Sequence, residues 1–152
     1  MVTGRAGQGG KPPAARPPGS ASRAGGRSRH SRATRAHLSS LKLQTVNALF
    51  AIYDAEIAAR DAHDADLAGR LYQAREKLRL LVLEIRRAEA AHLKARRPLP
   101  EAEAVWAGAA GEMRALVRAL RRQGRARPVG KDTAETAARA VTLLGDLTNR
   151  LK

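Results

Sequence analysis

Residues 67–88 read LAGRLYQAREKLRLLVLEIRRA, and their apolar spacing predicts a helical fold. Apolar residues recur at positions 67, 71, 74, 78, 81, 85 and 88, in alternating steps of four and three. This spacing is typical of a helix with a coiled-coil seam, and Leu80, Val82 and Leu83 widen the seam. A helix this broadly apolar needs neighbours on more than one side. We expect an oligomer interface built from Leu67, Leu71, Leu78, Leu81, Ile85 and the lone Trp106.

The rest of the chain predicts further helices and no strand. The expected fold is an all-α helical hairpin or bundle with coiled-coil character, with helices over about 38–61, 64–97, 101–123 and 132–151. Pro98 and Pro100 end the second helix, because proline cannot continue a helix and restricts the residue before it. On the first helix the predicted apolar stripe is Leu43, Val46, Phe50, Tyr53 and Ile57, at alternating three- and four-residue spacing.

Residues 61–66, with the sequence DAHDAD, leave two topologies open. The chain either turns here into an antiparallel hairpin, with Asp64 or Asp66 capping the next helix, or it continues as one long helix. We favour the turn. At the other end of the chain, Gln123 and Gly124 are expected to stop the third helix, and Asp132 or Thr133 to cap the fourth.

The first 37 residues differ from the rest. They hold eight basic residues and no acidic one, and glycine and proline are frequent. A segment with so few apolar side chains cannot offset its ordering entropy, so residues 1–37 are predicted to be a disordered, arginine-rich arm. An organelle transit peptide or a solubilising extension are alternative interpretations of this arm.

The formal net charge is +15, and its distribution indicates where a polyanion would bind. Residues 38–66 hold two basic and five acidic residues, whereas residues 67–97 hold nine basic and three acidic ones and residues 101–131 hold seven and three. A solvated charged face is the alternative, but the acidic residues are too few to neutralise the set. The predicted nucleic-acid-binding residues are Arg23, Arg27, Arg29, Arg32, Arg35, Arg75, Arg79, Arg86, Arg87, Lys94, Arg96, Arg97, Arg118, Arg121, Arg122, Arg125 and Arg127.

Several other classes of function are not supported by the residues. The sequence has no cysteine, no phosphate-cradling glycine loop before a helix and no nucleophile elbow. His63 with Asp64 and Asp66 could contact a hard cation, but a capped turn suits the same residues better. His92 is expected to lie partly buried on the continued seam. We therefore predict no catalytic residue, no metal, no cofactor and no membrane partner.

Residues 78–120 resemble the central region of some phage terminase small subunits. The resemblance lies in Leu83-Glu84-Ile85, in the stretch RPLPEAEAVW over residues 97–106, and in Arg114 and Leu116. It implies a DNA-packaging homo-oligomer in the cytoplasm of a bacterial or phage-infected host cell, with a large motor as a possible partner. It also makes DNA a more favoured ligand than RNA.

The leading hypothesis is therefore a non-enzymatic nucleic-acid-binding assembly protein of this kind. One alternative is a structural protein of a virion or another assembly that uses its helices for protein contacts. A second alternative is an RNA- or ribosome-associated helical protein.

Overall fold

A computed structural model describes Gly4, Gly9, Gly10 and residues 20–95 and 100–151, with side chains over residues 32–95 and 103–151. These residues form four helices and no strand, which confirms the all-α prediction. The helices are α1 Ser20–Asp61, α2 Ala65–Ala95, α3 Pro100–Arg125 and α4 Asp132–Asn149. No helix among the described residues is long and apolar enough to cross a membrane.

Helix α1 begins at Ser20 and not at residue 38, so the predicted boundary of the arm is corrected. Residues 20–37 belong to the helix, while the rest of the predicted arm lies outside the described residues, apart from three glycines. Thr34 is fully buried and its hydroxyl donates to the carboxylate of Glu103 on α3. The ring of His37 lies 5.6 Å from that of Trp106. These contacts with α3 hold residues 34–37 against the bundle.

The chain turns between α1 and α2, as the hairpin alternative predicted. His63 adopts a left-handed backbone with φ of 59°, and the N–H of Asp64 donates to the carbonyl of Ala59 at 2.9 Å. This is the Schellman ending of a helix. Asp64 Oδ1 then accepts from the N–H of Leu67 at 3.1 Å, so Asp64 is the residue that caps α2.

The four helices form an up-down-up-down bundle in which α2 lies antiparallel to α1. Lys42 pairs with Glu89 near one end of this hairpin, and Glu56 pairs with Arg75 near the other. Helix α3 lies parallel to α1, since its start meets His37 and its end meets Ala51. Helix α4 packs against both α2 and α3, and within the described residues α2 and α3 do not contact each other.

The apolar stripe predicted for α1 does not face the core, so that prediction is wrong. Leu43, Phe50, Tyr53 and Ile57 are 57, 60, 44 and 41 % exposed, and Val46 is half-buried. The core instead takes the neighbouring stripe, which is rich in alanine because small side chains let α1 approach α2 and α3 closely. That buried stripe consists of Leu38, Leu41, Thr45, Ala48, Ile52, Ala55 and Ala59.

The seam of α2 is buried within the single chain, which corrects its assignment as an oligomer interface. Leu67, Leu71, Leu78 and Ile85 are core residues, and Leu81 packs partly buried against them. Trp106 is 4 % exposed, and its indole N–H donates to the carbonyl of Leu147 at 3.3 Å. The neighbours that this broad seam requires are α1 and α4 of the same molecule.

Two predicted details of the helix ends are also corrected. Helix α3 continues through Gly124, whose missing side chain permits close contact: a Cβ there would lie 3.0 Å from the carbonyl oxygen of Ala51. Helix α4 has Lys131 at its N-cap position without a side-chain cap, so neither Asp132 nor Thr133 caps it.

Candidate nucleic-acid interface

Helix α3 carries a row of exposed arginines along one edge of its buried face. Positions 114, 118, 121 and 125 recur at steps of four, three and four, which places them on one side of the helix. The buried side is formed by Met113, Val117 and Leu120. At 1.5 Å per residue the row is roughly 16 Å long. We call Arg114, Arg118, Arg121 and Arg125 the α3 row.

The α3 row lies on the outer side of the bundle, next to α1. Gly124 faces α1, because a Cβ there would contact Ala51 and Ala55. Gln123 instead faces α4, where its side chain donates to Asp132 Oδ2 at 3.4 Å. Arg121 and Arg125 lie on the far side of Gly124 from Gln123, which puts the row beside α1 and away from α4.

The charges of the α3 row are not neutralised within the described part of the chain. None of its four arginines forms an ion pair there, and the neighbouring Arg122 is also exposed without one. The ion pairs among the described residues lie on α1 and α2. The row therefore presents its full positive charge to solvent.

Arg75, predicted to bind nucleic acid, is held in a structural ion pair. Its Nε donates to Glu56 Oε2 at 2.6 Å, and the Glu56 side chain is only 1 % exposed. Arg60 Nη2 lies 2.5 Å from the other oxygen, at an angle that makes an ion pair without a hydrogen bond. The hydrogen bond to Glu56 raises the pKa of Arg75 above its ordinary value, although burial acts in the opposite direction. Arg75 thus has a role inside the fold.

Two other predicted arginines also have partners. Arg79 lies 3.0 Å from Glu76 Oε2 at an exposed position, so its charge is partly offset. Arg127 Nη1 donates to the carbonyls of Gly124 and Ala126 at 2.8 and 3.0 Å, where it caps the end of α3. A basic residue at a helix C-terminus is favoured by the helix dipole, which gives Arg127 a structural function.

The remaining predicted residues do not form one continuous surface. Arg86, Arg87 and Lys94 are exposed on α2, which has no contact with α3 among the described residues. Arg32 and Arg35 are exposed on the first part of α1. Arg23, Arg27 and Arg29 lie on α1 with side chains outside the description, and Arg96 and Arg97 lie outside the described residues. The predicted nucleic-acid-binding residues with described side chains therefore lie in a row on α3 and in separate groups on α1 and α2.

No group of three or more potential metal ligands is found among the described residues. His92 is 5 % exposed with both ring nitrogens lacking a hydrogen-bond partner, which fits its predicted place on the seam. The grooves are shallow and open, such as the one of about 230 Å³ between α2 and α4 that is lined by Arg70, Lys77 and Val141.

Comparisons with known proteins give no match. No family model, no curated protein and no solved structure matches this chain.

Proposed function

We propose that this chain is a non-enzymatic nucleic-acid-binding assembly protein that contacts phosphates through the α3 row. The observation that carries the proposal is the row itself, four exposed arginines at helical spacing without ion pairs among the described residues. Arginine suits this role because its planar guanidinium stays charged and can form paired hydrogen bonds with phosphate oxygens.

The dimensions of the row suit a duplex. One DNA strand advances about 3.4 Å per nucleotide along the helix axis, so a row of roughly 16 Å spans about five phosphates. Such contacts position a protein on nucleic acid without reading its sequence. We therefore propose salt-sensitive binding with weak sequence discrimination, and we favour DNA as the ligand.

A more specific form of this proposal rests on the resemblance over residues 78–120. In that form the chain is a terminase-small-subunit-like homo-oligomer that presents DNA to a large packaging motor in the cytoplasm of an infected cell. The role of an RNA- or ribosome-associated protein predicts the opposite ligand preference.

The test is fluorescence anisotropy of a labelled 20-base-pair duplex across a salt series. A variant with all four arginines of the α3 row changed to Gln should flatten the slope of log affinity against log salt by about 3 to 4, because each lost phosphate contact removes about 0.9. The matched control changes Arg70, Lys77, Arg86 and Arg87 on α2 to Gln and has the same net charge. Equal losses in both variants would show that only total charge matters and would overturn the assignment to α3.

The same titration with duplex RNA separates the two ligand classes. Tighter binding of DNA at matched salt supports the proposal, whereas tighter binding of RNA supports the RNA-associated function.

A further inference from the structure

An exposed apolar surface covers the outer side of the α1–α2 hairpin. Phe50, Tyr53 and Ile57 of α1 and Tyr72 and Leu83 of α2 are each 41–60 % exposed, and Leu43 continues the surface along α1. Three of the four aromatic side chains of the protein lie here, and the fourth, Trp106, is in the core. We call these six residues the hairpin face.

The centre of the hairpin face is held rigidly. The guanidinium carbon of Arg75 lies 5.2 Å from the centre of the Tyr53 ring and 5.1 Å from that of Tyr72. The buried Glu56 fixes this arginine from below. Tyrosine and arginine in a well-packed centre are the residues that dominate binding energy at protein interfaces, because little side-chain entropy is left to lose.

The size of the hairpin face fits a protein interface. A large side chain contributes about 150–250 Å², so six side chains exposed by about half present roughly 600 Å² of surface. Monomeric proteins seldom expose larger contiguous apolar patches, and a standard interface covers about 800 Å² per partner. The hairpin face with a polar rim reaches that size.

The charges around the hairpin face permit a second copy of this basic protein to approach. Lys42 pairs with Glu89, and Glu56 and Glu76 neutralise arginines on the same two helices. The α3 row, in contrast, is unpaired and would repel the row of another copy. Association through the hairpin face therefore does not require the α3 rows of the two copies to meet.

We propose that two copies of this chain associate through the hairpin face, with α1 of one copy lying antiparallel on α2 of the other. The proposal gives an interface to the oligomer named above, and it does not require nucleic-acid binding. Residues 38–61 of α1 hold two basic and three acidic side chains, whereas Ala65–Ala95 hold seven basic and four acidic ones. Placing residues 38–61 of α1 on α2 of the partner brings this acidic segment onto a basic helix, which a pairing of α1 with α1 would not.

The positions of side chains along the hairpin axis predict which residues of the two copies contact each other. The pairs Lys42–Glu89 and Glu56–Arg75 show which positions of α1 and α2 lie side by side. A two-fold axis parallel to the hairpin does not shift residues along the helices. Ile57 therefore faces Tyr72 of the second copy, and Val46 faces Leu83 of the second copy. Each contact occurs twice in such an isologous dimer.

Sedimentation equilibrium of the nuclease-treated full chain tests the dimer. At concentrations of about 1–100 µM, where interfaces of this size commonly associate, we expect twice the chain mass of 16.3 kDa. Phe50→Asp should weaken the dimer at least 100-fold, since central aromatic residues carry most of the binding energy. Val105→Asp, at an exposed apolar position on α3, is the control and should remain dimeric. Circular dichroism checks that both variants stay helical.

A monomer throughout that concentration range would overturn the proposal. So would a Phe50→Asp variant that is helical and still dimeric. Because no nucleic acid is present in these measurements, failure of the dimer and failure of phosphate binding by the α3 row are separate results.

Disulfide trapping tests the pairing of helices, and the sequence helps because it contains no cysteine. Ile57→Cys and Tyr72→Cys variants carrying different tags are mixed and oxidised. We expect the mixed disulfide to form in clear excess over either homodimer. A homodimeric disulfide of Phe50→Cys in place of that mixed product would show that α1 pairs with α1, and it would overturn the proposed arrangement.

Discussion

Changing Arg75 to Met should destabilise the bundle far more than removing any surface arginine. Arg75 donates to a carboxylate, Glu56, that is 1 % exposed, so its loss leaves a buried negative charge. Breaking a buried ion pair costs about 3–5 kcal/mol. Arg60 remains 2.5 Å from the other oxygen of Glu56 and offsets part of this cost. We expect a loss of about 2–3 kcal/mol in the free energy of unfolding, after this partial compensation.

Urea unfolding followed by circular dichroism measures this loss. The variant should stay folded at low urea, because domains commonly have about 5–15 kcal/mol of stability. Arg79→Met is the matched control. Arg79 pairs with Glu76 at 3.0 Å but is 60 % exposed, and an exposed pair contributes only about 0–1 kcal/mol. Methionine retains the apolar contacts of the arginine stem in both variants.

A double-mutant cycle with Glu56→Gln separates the ion pair from other losses. Once Glu56 is neutral, the buried charge is gone, so Arg75→Met should cost at least about 1 kcal/mol less in that background. Arginine is charged at neutral and mildly alkaline pH, and the raised pKa of Arg75 acts in the same direction. The stability from this shift is present below its ordinary pKa and is lost only above the raised value, so we expect no change between neutral and mildly alkaline pH from this group. Equal losses in Arg75→Met and Arg79→Met would show that the burial of Glu56 adds nothing to the cost of breaking its ion pair.

Two further predictions concern the helix ends and the α1–α3 contact. Asp64→Ala should lower the free energy of unfolding by about 1 kcal/mol because it removes the cap of α2, whereas His63→Gly should raise it by about 0.5–1 kcal/mol because a φ of 59° suits glycine. Thermal unfolding measures both changes, and a reversed order would contradict the assigned turn. Gly111→Ala lies on open helix surface and should raise the free energy of unfolding by about 1 kcal/mol. Gly124→Ala should give a clearly smaller gain or a loss, because its Cβ would lie 3.0 Å from the carbonyl oxygen of Ala51. Equal effects of the two variants would mean that α1 and α3 are not in close contact.

The number of helices and the turn between α1 and α2 could be predicted from the sequence, because both depend on local signals. The α2 seam is a strict spacing of apolar residues, and Asp64 is a good capping residue. The sequence predicts the start of α1 too late, because the low apolar content of residues 20–37 favours disorder. The absence of proline between Pro18 and Pro98 is the local signal that permits a longer helix.

The direction in which α1 faces could not be predicted from periodicity. The helix has two stripes at the same spacing, one with Phe50 and Ile57 and one with Ala48 and Ala55. The larger side chains favour the first stripe by hydrophobicity, but close helix packing selects the second. The core side of α1 is therefore rich in alanine, and the large side chains of Phe50 and Ile57 remain on the surface.

The candidate site, too, could be predicted only in part from the sequence. The spacing of the α3 row is visible in the sequence, so part of the site could be predicted. The ion pair of Arg75 with Glu56, nineteen residues earlier in the chain, is a tertiary contact that no local pattern reveals. Charge counts also could not show that α2 and α3 are diagonal in the bundle, which separates their arginines.

The two proposals together predict that the dimer bridges two duplexes. The α3 row lies on the outer side of the bundle, beside α1 and away from α4. A two-fold axis parallel to the hairpin turns that side of the second copy in the opposite direction. The two α3 rows then point away from each other and cannot share one short duplex. We expect bead-bound duplex to capture a second, labelled duplex through the protein.

Two variants test whether the dimer bridges the duplexes. Phe50→Asp should abolish capture while leaving the anisotropy-measured affinity and its salt slope within about twofold, because the α3 row of each monomer is intact. The four-arginine variant of the α3 row should lose both capture and affinity while remaining dimeric. If Phe50→Asp still captured the second duplex, each chain would need a second nucleic-acid surface, and the exposed arginines of α2 would then be the place to look for it.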